Sequence, residues 1–148
     1  SMINYFTANQ EQLKQFDLLI GFKNPASMLF ERDINSWEKK INDLLITVDE
    51  APEDNWEHQV GLITKYVPKI EISKLEQMEV VVVGPPIMMK YTVQEFKKLG
   101  IPEDQIWVSY ERKMHCGLGK CGHCKVDGSY VCVEGPVFNY SEAKELID

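Results

Sequence analysis

All four cysteines of this chain fall between positions 116 and 132, in the spacing C-x4-C-x2-C-x7-C, and the first 115 residues contain none. Thiols gathered in this way bind metal or do redox work more often than they form disulfides in a reducing compartment. The run C-x4-C-x2-C followed by a later Cys matches the plant-type [2Fe–2S] pattern. Three ligands on one short loop need tight turns, and Gly117, Gly119 and Gly122 stand between them. Such glycines permit positive φ and let backbone N–H groups approach the sulfurs. The fourth ligand has a local explanation. Val126-Asp127-Gly128-Ser129 is a hairpin turn signal. A two-residue turn at Asp127-Gly128 would set Cys124 opposite Val131 and return Cys132 beside the loop. The spacing therefore predicts an iron–sulfur cluster, of the [2Fe–2S] kind, on Cys116, Cys121, Cys124 and Cys132.

Three other readings of the same thiols stay open at this point. A structural zinc site could use them, although such sites usually show two separated Cys pairs. Cys121-Gly122-His123-Cys124 is also a thiol–disulfide tetrapeptide, but there the first cysteine opens a long helix. Here a hairpin follows. Plain disulfides are the third reading. His115 and His123 flank the ligands, and four cysteines leave no need for histidine ligation. They read as solvent-facing or as hydrogen-bond partners of the site. His58 reads as surface.

The 148 residues amount to one domain with a small appendage, and a hydrophobic fraction of 44% is ordinary for a globular chain. A net charge of −7 argues against nucleic-acid binding and against docking on anionic lipid. No apolar run is long enough to span a membrane, and the first residues lack the features of a signal peptide. The chain reads as cytoplasmic.

Along the chain, residues 3–15 read as a helix and Asp17–Phe22 as a buried strand closed by a turn at Asn24-Pro25. Ser27 is placed to N-cap a helix through about Lys40, with Leu29, Phe30, Ile34 and Trp37 on one face. Asp43–Asp49 reads as a second buried strand, followed by an acidic loop with Pro52. Residues 58–67 read as a helix stopped before Pro68. Glu79–Gly84 holds four consecutive valines, which suits a strand covered on both faces. A helix from Ile87 to Leu99 follows, with Met89, Val93 and Phe96 on one face and Gly100 as its stop. Ile106–Tyr110 is a further strand. The alternation predicts an α/β fold built on an open parallel sheet. Composition changes near Arg112. The expected organisation is an α/β domain over 3–111, a cluster-binding subdomain over 112–140, and a C-terminal helix or tail over 141–148.

Val83-Gly84-Pro85-Pro86-Ile87-Met88 is a strand-to-helix turn at the carboxyl end of a parallel strand, where ligands of open α/β sheets bind. Gly84 would let a ligand come close to the backbone, and proline suits the first helical turn. The same residues equally describe a plain βα turn. No G-x-G-x-x-G occurs, so the physics of the residues stops at an α/β domain with a cluster module.

Four stretches carry a resemblance: Gly84 through Met89, Ser109 through Met114, Cys116 through Cys124, and Tyr130 through Phe138. Together they resemble the NAD(P)-binding half of ferredoxin-reductase-like flavoproteins. That family includes the electron-transfer subunits of dihydroorotate dehydrogenases and the gamma subunits of sulfhydrogenases. Through Val108 to Met114 and Phe138-Asn139-Tyr140 the chain also resembles the B subunits of anaerobic sulfite reductases.

The resemblance implies an NAD(P)H-dependent oxidoreductase in which FAD on an N-terminal β-barrel takes a hydride and feeds single electrons to the [2Fe–2S] centre. The cluster hands them to partner subunits, here a catalytic sulfite-reducing subunit and a ferredoxin-like subunit. Dihydroorotate-linked or hydrogenase-linked chemistry is the alternative, and a zinc-stapled binding module is the non-enzymatic one. The chain departs from the family in lacking the barrel and the first strand of the α/β domain with its glycine-rich turn. It therefore reads as a fragment, inactive alone. Where the family has Cys-Gly-Pro, this chain has Val83, Gly84 and Pro85. The family's cysteine lies near the nicotinamide and is missing here, while Gly84 and Pro85 remain as expected cofactor-binding residues. Gly21 and Lys23 correspond to a Gly-x-Arg nucleotide contact, and Asp49 ends the adjoining strand. No catalytic side chain is assigned.

Overall fold

The computed structural model describes residues 2–51, 56–70 and 77–146. The expected loop at Pro52 lies outside them. The chain divides into two compact units, Ser1–Lys65 and Tyr66–Asp148.

The first unit runs α1 (Met2–Ala8), β1 (Asp17–Phe22), α2 (Glu31–Trp37), β2 (Asp43–Val48) and β3 (Gln59–Val60). Its three strands pair in the order β1-β2-β3, all parallel, with Leu18 opposite Leu44 and Ile20 opposite Ile46. Ile34, Trp37, Ile41 and Ile46 form the buried core, and Ile3, Phe16, Leu18 and Ile20 pack on it. The Trp37 indole N–H donates to Asn4 Oδ1 at 3.1 Å, so this large ring is buried with its polar atom satisfied.

Three helix expectations fail here, each for a local reason. The first helix stops at Ala8, and only a 3-10 turn at Gln10–Gln12 follows. Ser27 caps nothing downstream. It closes a reciprocal capping box with Asn24 around the 3-10 turn Pro25–Ser27, which uses its hydroxyl on the upstream side. Helix α2 begins only at Glu31, after Phe30 in the left-handed region at φ 63°. Leu29 and Phe30 are consequently exposed, while Ile34 and Trp37 are buried. Residues 58–67 hold strand β3 and the 3-10 turn Ile63–Lys65 instead of a helix. Parallel pairing with β2 wins over helical periodicity, and the Thr47 hydroxyl donates to the Gly61 carbonyl at 2.6 Å to pin the turn.

The second unit contains β4 (Val80–Val83), α3 (Pro86–Lys98), β5 (Ile106–Ser109), β6 (Lys125–Val126), β7 (Ser129–Tyr130), α4 (Val131–Glu134), β8 (Val137–Asn139) and α5 (Tyr140–Ala143). Strands β4 and β5 pair in parallel, and β8 adds antiparallel to the far side of β5. Met89, Val93 and Phe96 are buried on α3, as their spacing predicts, and the helix packs on β4 and on the 3-10 turn Val67–Lys69. The four-valine strand differs from expectation. Val80 and Val82 are buried, while Val81 and Val83 are exposed, so one face of β4 is covered and the other is open.

Candidate metal centre and nucleotide-facing turns

The cysteine region follows β5 in the second unit. Residues 110–124 form no helix or strand, and their path is set by turns. The hairpin expected at Asp127-Gly128 is present: Lys125 pairs with Tyr130, and Val126 with Ser129. Asp127 takes φ 47°, a left-handed value that Asp tolerates better than most side chains. One step beyond the ladder, the Val131 N–H donates to the Cys124 carbonyl at 3.4 Å. The hairpin therefore sets Cys132, in α4, against the loop that bears the other three thiols.

Within the loop, sulfurs draw in backbone donors. Cys116 Sγ accepts from the N–H of Leu118 at 3.4 Å and from that of Cys121 at 3.5 Å. Cys132 Sγ accepts from the N–H of Gly119 at 3.3 Å, which spans the loop and α4. Gly119 sits at φ 67°, and a Cβ there would lie 3.0 Å from Val133 Cγ2, so both conformation and space favour glycine.

The four thiols influence one another: the Cys121 thiol favours the Cys116 thiolate, and Cys124 and Cys116 both disfavour that of Cys132. Cys116 is held down at about 6 by the backbone N–H groups of Leu118, Cys121 and Lys120, and then by the Cys121 thiol. Cys132 is pushed up, chiefly because its thiol donates to Cys124, with burial adding to the shift against the N–H of Gly119. Among the described residues no three His, Cys, Asp or Glu side chains converge on one ion position. Four thiols gathered on one loop and its hairpin are the number of ligands that a centre of two metal ions with two thiolates each would take. The imidazoles of His115 and His123 lie against each other, with ring centroids 3.8 Å apart. Their spacing in sequence gave no sign of this pairing, which follows from the fold of the loop between them.

The expected nucleotide contacts fall at the carboxyl ends of parallel strands. Gly21 lies in β1, and the ladder continues past the strand, since Asp49 N–H donates to Phe22 O and Glu50 N–H to Lys23 O. Lys23 and Asp49 are thereby brought to the same end of the first sheet, both exposed. Gly84 and Pro85 lie at the carboxyl end of β4, where the Pro85 carbonyl accepts from Met89 N–H and opens α3. The space above Gly84 is not open. A Cβ there would collide with Met88 Cε, so the methionine methyl rests on the glycine backbone. Close approach of a ligand at this turn requires Met88 to move. A flexible thioether four residues after the glycine is the sequence sign that the reading of Gly84 alone passed over.

The parallel α/β strands and the glycine-laced four-thiol loop that follows them in the chain fit an oxidoreductase NAD-binding domain with an iron–sulfur binding module. Residues 1–94 match the oxidoreductase NAD-binding domain family, and the chain belongs to it. Residues 111–144 match the iron–sulfur cluster binding domain of dihydroorotate dehydrogenase B. The chain is 35% identical over 131 residues to the gamma subunit of sulfhydrogenase 1 from Pyrococcus furiosus, a match covering 82% of this chain and 44% of that protein. It is 45% identical over 71 residues to a probable dihydroorotate dehydrogenase B (NAD(+)) electron transfer subunit from Methanocaldococcus jannaschii, covering 46% of this chain and 26% of that one. It thus spans about half, or less, of the length of these relatives. In fold it is similar to an NADH-dependent reduced ferredoxin-NADP oxidoreductase, with a TM-score of 0.63 at 23% identity over 99% of this chain and 52% of the other. No helix among the described residues is long and apolar enough to cross a membrane.

Proposed function

We propose that this chain is the nucleotide- and cluster-binding part of an NAD(P)H-linked electron-transfer subunit, with Cys116, Cys121, Cys124 and Cys132 holding a [2Fe–2S] cluster. The observation that carries the reading is the hairpin that returns Cys132 to the cysteine loop, where its sulfur accepts from Gly119 N–H at 3.3 Å and Cys116 Sγ accepts from two further backbone N–H groups. Cys116 and Cys121 would hold one iron, and Cys124 and Cys132 the other. When bound, the cluster supplies one-electron chemistry. The chain's own part is to present four thiolates, aim N–H dipoles at their sulfurs, and shield Cys124, which is 3% exposed. Gly21, Lys23 and Asp49, with Gly84 and Pro85, are the proposed nucleotide contacts, and Met88 must yield at the second of these turns. A subdomain boundary near Arg112 belongs to the same reading, with 112–140 as the cluster-binding part.

A flavin between nucleotide and cluster is part of the proposal, since a nicotinamide gives up two electrons together and the cluster takes one. The wider complex is proposed to be a cytoplasmic reductase that passes the electrons to a partner subunit. A sulfite-reducing subunit is the acceptor favoured by Val108–Met114 and Phe138–Tyr140. The sulfhydrogenase and dihydroorotate dehydrogenase relatives favour those acceptors instead. Subunits that co-purify with the natural protein decide among them.

The experiment is an anaerobic preparation of the 148-residue chain. Iron and acid-labile sulfide are expected in equal amounts, about two of each per chain. Dithionite should bleach the visible absorption, and NADH or NADPH without a flavoprotein should not. Stoichiometric zinc without labile sulfide would falsify the cluster.

A further inference from the structure

We propose that the first unit carries a ligand site of its own, a donor-lined cleft at the amino end of its parallel sheet that takes a small organic carboxylate with an apolar body. The cleft is lined by Leu13, Lys14, Phe16, Lys40 and Asn42 and holds about 220 Å³. Two connections of the chain meet there. One leads residues 13–16 into β1, and the other carries Lys40 through Asn42 from α2 into β2. They are clamped together one residue ahead of the paired strands. Asn42 N–H donates to Phe16 O at 2.9 Å, and Phe16 N–H donates to Asn42 Oδ1 at 2.8 Å. The floor of the cleft is therefore fixed by a reciprocal pair of hydrogen bonds.

The chemistry of the lining selects the ligand. The Asn42 side-chain oxygen is taken by Phe16 N–H, so this amide offers the cleft its N–H bonds. Lys14 and Lys40 bring ammonium groups, which donate and never accept. Among the described residues no acidic side chain lines the cleft, in a chain whose net charge is −7. Asp17 and Asp43 come next along the strands and point to the opposite face, because successive side chains alternate. Polar side chains that only donate call for an anion. The apolar wall comes from Leu13 and Phe16, both half-buried. The Phe16 ring is seated against Phe6, with centroids 5.4 Å apart, and packs on the core of Ile34, Trp37, Ile41 and Ile46. A bare inorganic anion leaves that wall facing water, whereas a carboxylate on an aromatic or aliphatic body uses both parts of the lining. The space is smaller than the roughly 300–1,000 Å³ that drug-sized ligands occupy, so the body is small. The coenzyme is not the occupant. Gly21, Lys23 and Asp49 lie toward the carboxyl end of the same strands, about 20 Å away along β1. The inference thus stands apart from the function proposed above.

The test is an NMR titration of the 148-residue chain, prepared anaerobically and held at constant ionic strength. Benzoate is the probe. Benzamide has the same shape without the charge, and inorganic phosphate has the charge without the apolar body. Benzoate should give saturable shifts at the backbone amides of Phe16, Ile41 and Asn42, and neither control should match it. Lys40→Gln should weaken benzoate about threefold, the effect of one exposed charge pair, and Lys40→Arg should restore it. Lys14→Gln combined with Lys40→Gln should abolish saturation. Both lysines are exposed, and unchanged amide shifts away from the cleft report that each variant keeps its fold. Shifts that stay linear in benzoate overturn the proposal. So do benzamide binding as tightly as benzoate, phosphate binding as tightly as benzoate, or a double variant that binds like its parent. Every readout lies in the first unit, so the outcome is independent of whether the cysteine loop holds iron.

Discussion

The sheet of the second unit and the cysteine loop beside it in sequence are ordered by different means. Strands β4 and β5 are held by burial. Ile106 and Val108 are fully buried, as are Val67 and Val93, and Met89 is 1% exposed. Each such side chain contributes about 1.5–3 kcal/mol relative to an exposed one. The stretch 111–124 has no regular structure up to its last residue, and its large apolar residues Met114 and Leu118 face solvent. Its fixed points are sulfurs and the N–H groups aimed at them. The difference teaches that the sheet is written in apolar volume and the loop in sulfur–amide contacts and, on the proposed function, in ligation. A change that is severe in one should be mild in the other.

The largest break in this comparison should come from removing a ligand. Cys121→Ser is expected to abolish or degrade the cluster and to raise hydrogen exchange across 112–136 toward that of an unstructured loop. Amides of β4 and β5 should keep their protection. Equal loosening of both would show that the sheet also depends on the metal.

The converse pair comes next. Ile106→Ala empties a fully buried site and should cost about 2–5 kcal/mol in urea denaturation while leaving iron content per folded chain unchanged. Leu118→Ala, on an exposed residue inside the loop, should stay within about 0.5 kcal/mol. A large effect at Leu118 would mean that the loop buries more apolar surface than its exposure indicates.

At the βα turn, Gly84→Ala drives a methyl into Met88 and forces a side chain onto φ 157°. A loss of about 1–3 kcal/mol is expected. Gly84→Ala with Met88→Ala should recover the part due to collision and leave the part due to backbone strain. Complete recovery would assign the whole cost to crowding, and no recovery would assign it to φ.

The smallest effect concerns the thiols themselves. In the metal-free chain the Cys116 thiolate, formed near pH 6 against an ordinary value of 9.0, is stabilised by folding. That contribution is complete above the ordinary thiol value and is lost as pH falls through about 6. Cys132 has the opposite sign, because its folded pKa is raised. Its contribution is present below the ordinary value and is lost as pH climbs through the raised one. Limited iodoacetamide labelling at pH 7, read by peptide mass spectrometry, should therefore mark Cys116 before Cys132 and the buried Cys124. Uniform labelling would mean that the N–H cradle does not outlast the metal.

Much of this was legible in the chain itself, for identifiable reasons. Strand and helix assignments held where pattern and punctuation agreed, as in α3 with Pro86 at its start and Gly100 beyond its end. The hairpin held because Asp127-Gly128 admits few other turns. Expectations failed where one residue had two uses. Ser27 bonds back to Asn24 instead of forward, and Phe30 turns left-handed, so the apolar face from Leu29 to Trp37 is split. The stretch at 58–67 has helical spacing but gives its first residues to pairing with β2. At the site, the glycine and cysteine positions announced the loop. The seat of Met88 on Gly84 and the pairing of His115 with His123 depend on side-chain placement that no spacing rule encodes.

The open face and border of β4 have a practical side. Among the described residues no strand pairs along the edge of β4 away from β5, and Val81 and Val83 stand exposed beside that row of backbone donors and acceptors. A valine-rich border of this kind is a template on which further strands can stack, including those of other molecules. Handling the isolated chain thus becomes a colloidal matter. Losses during concentration should scale with protein concentration, begin at this border, and diminish when a lysine is placed at Val81, with the bound iron per chain unaltered.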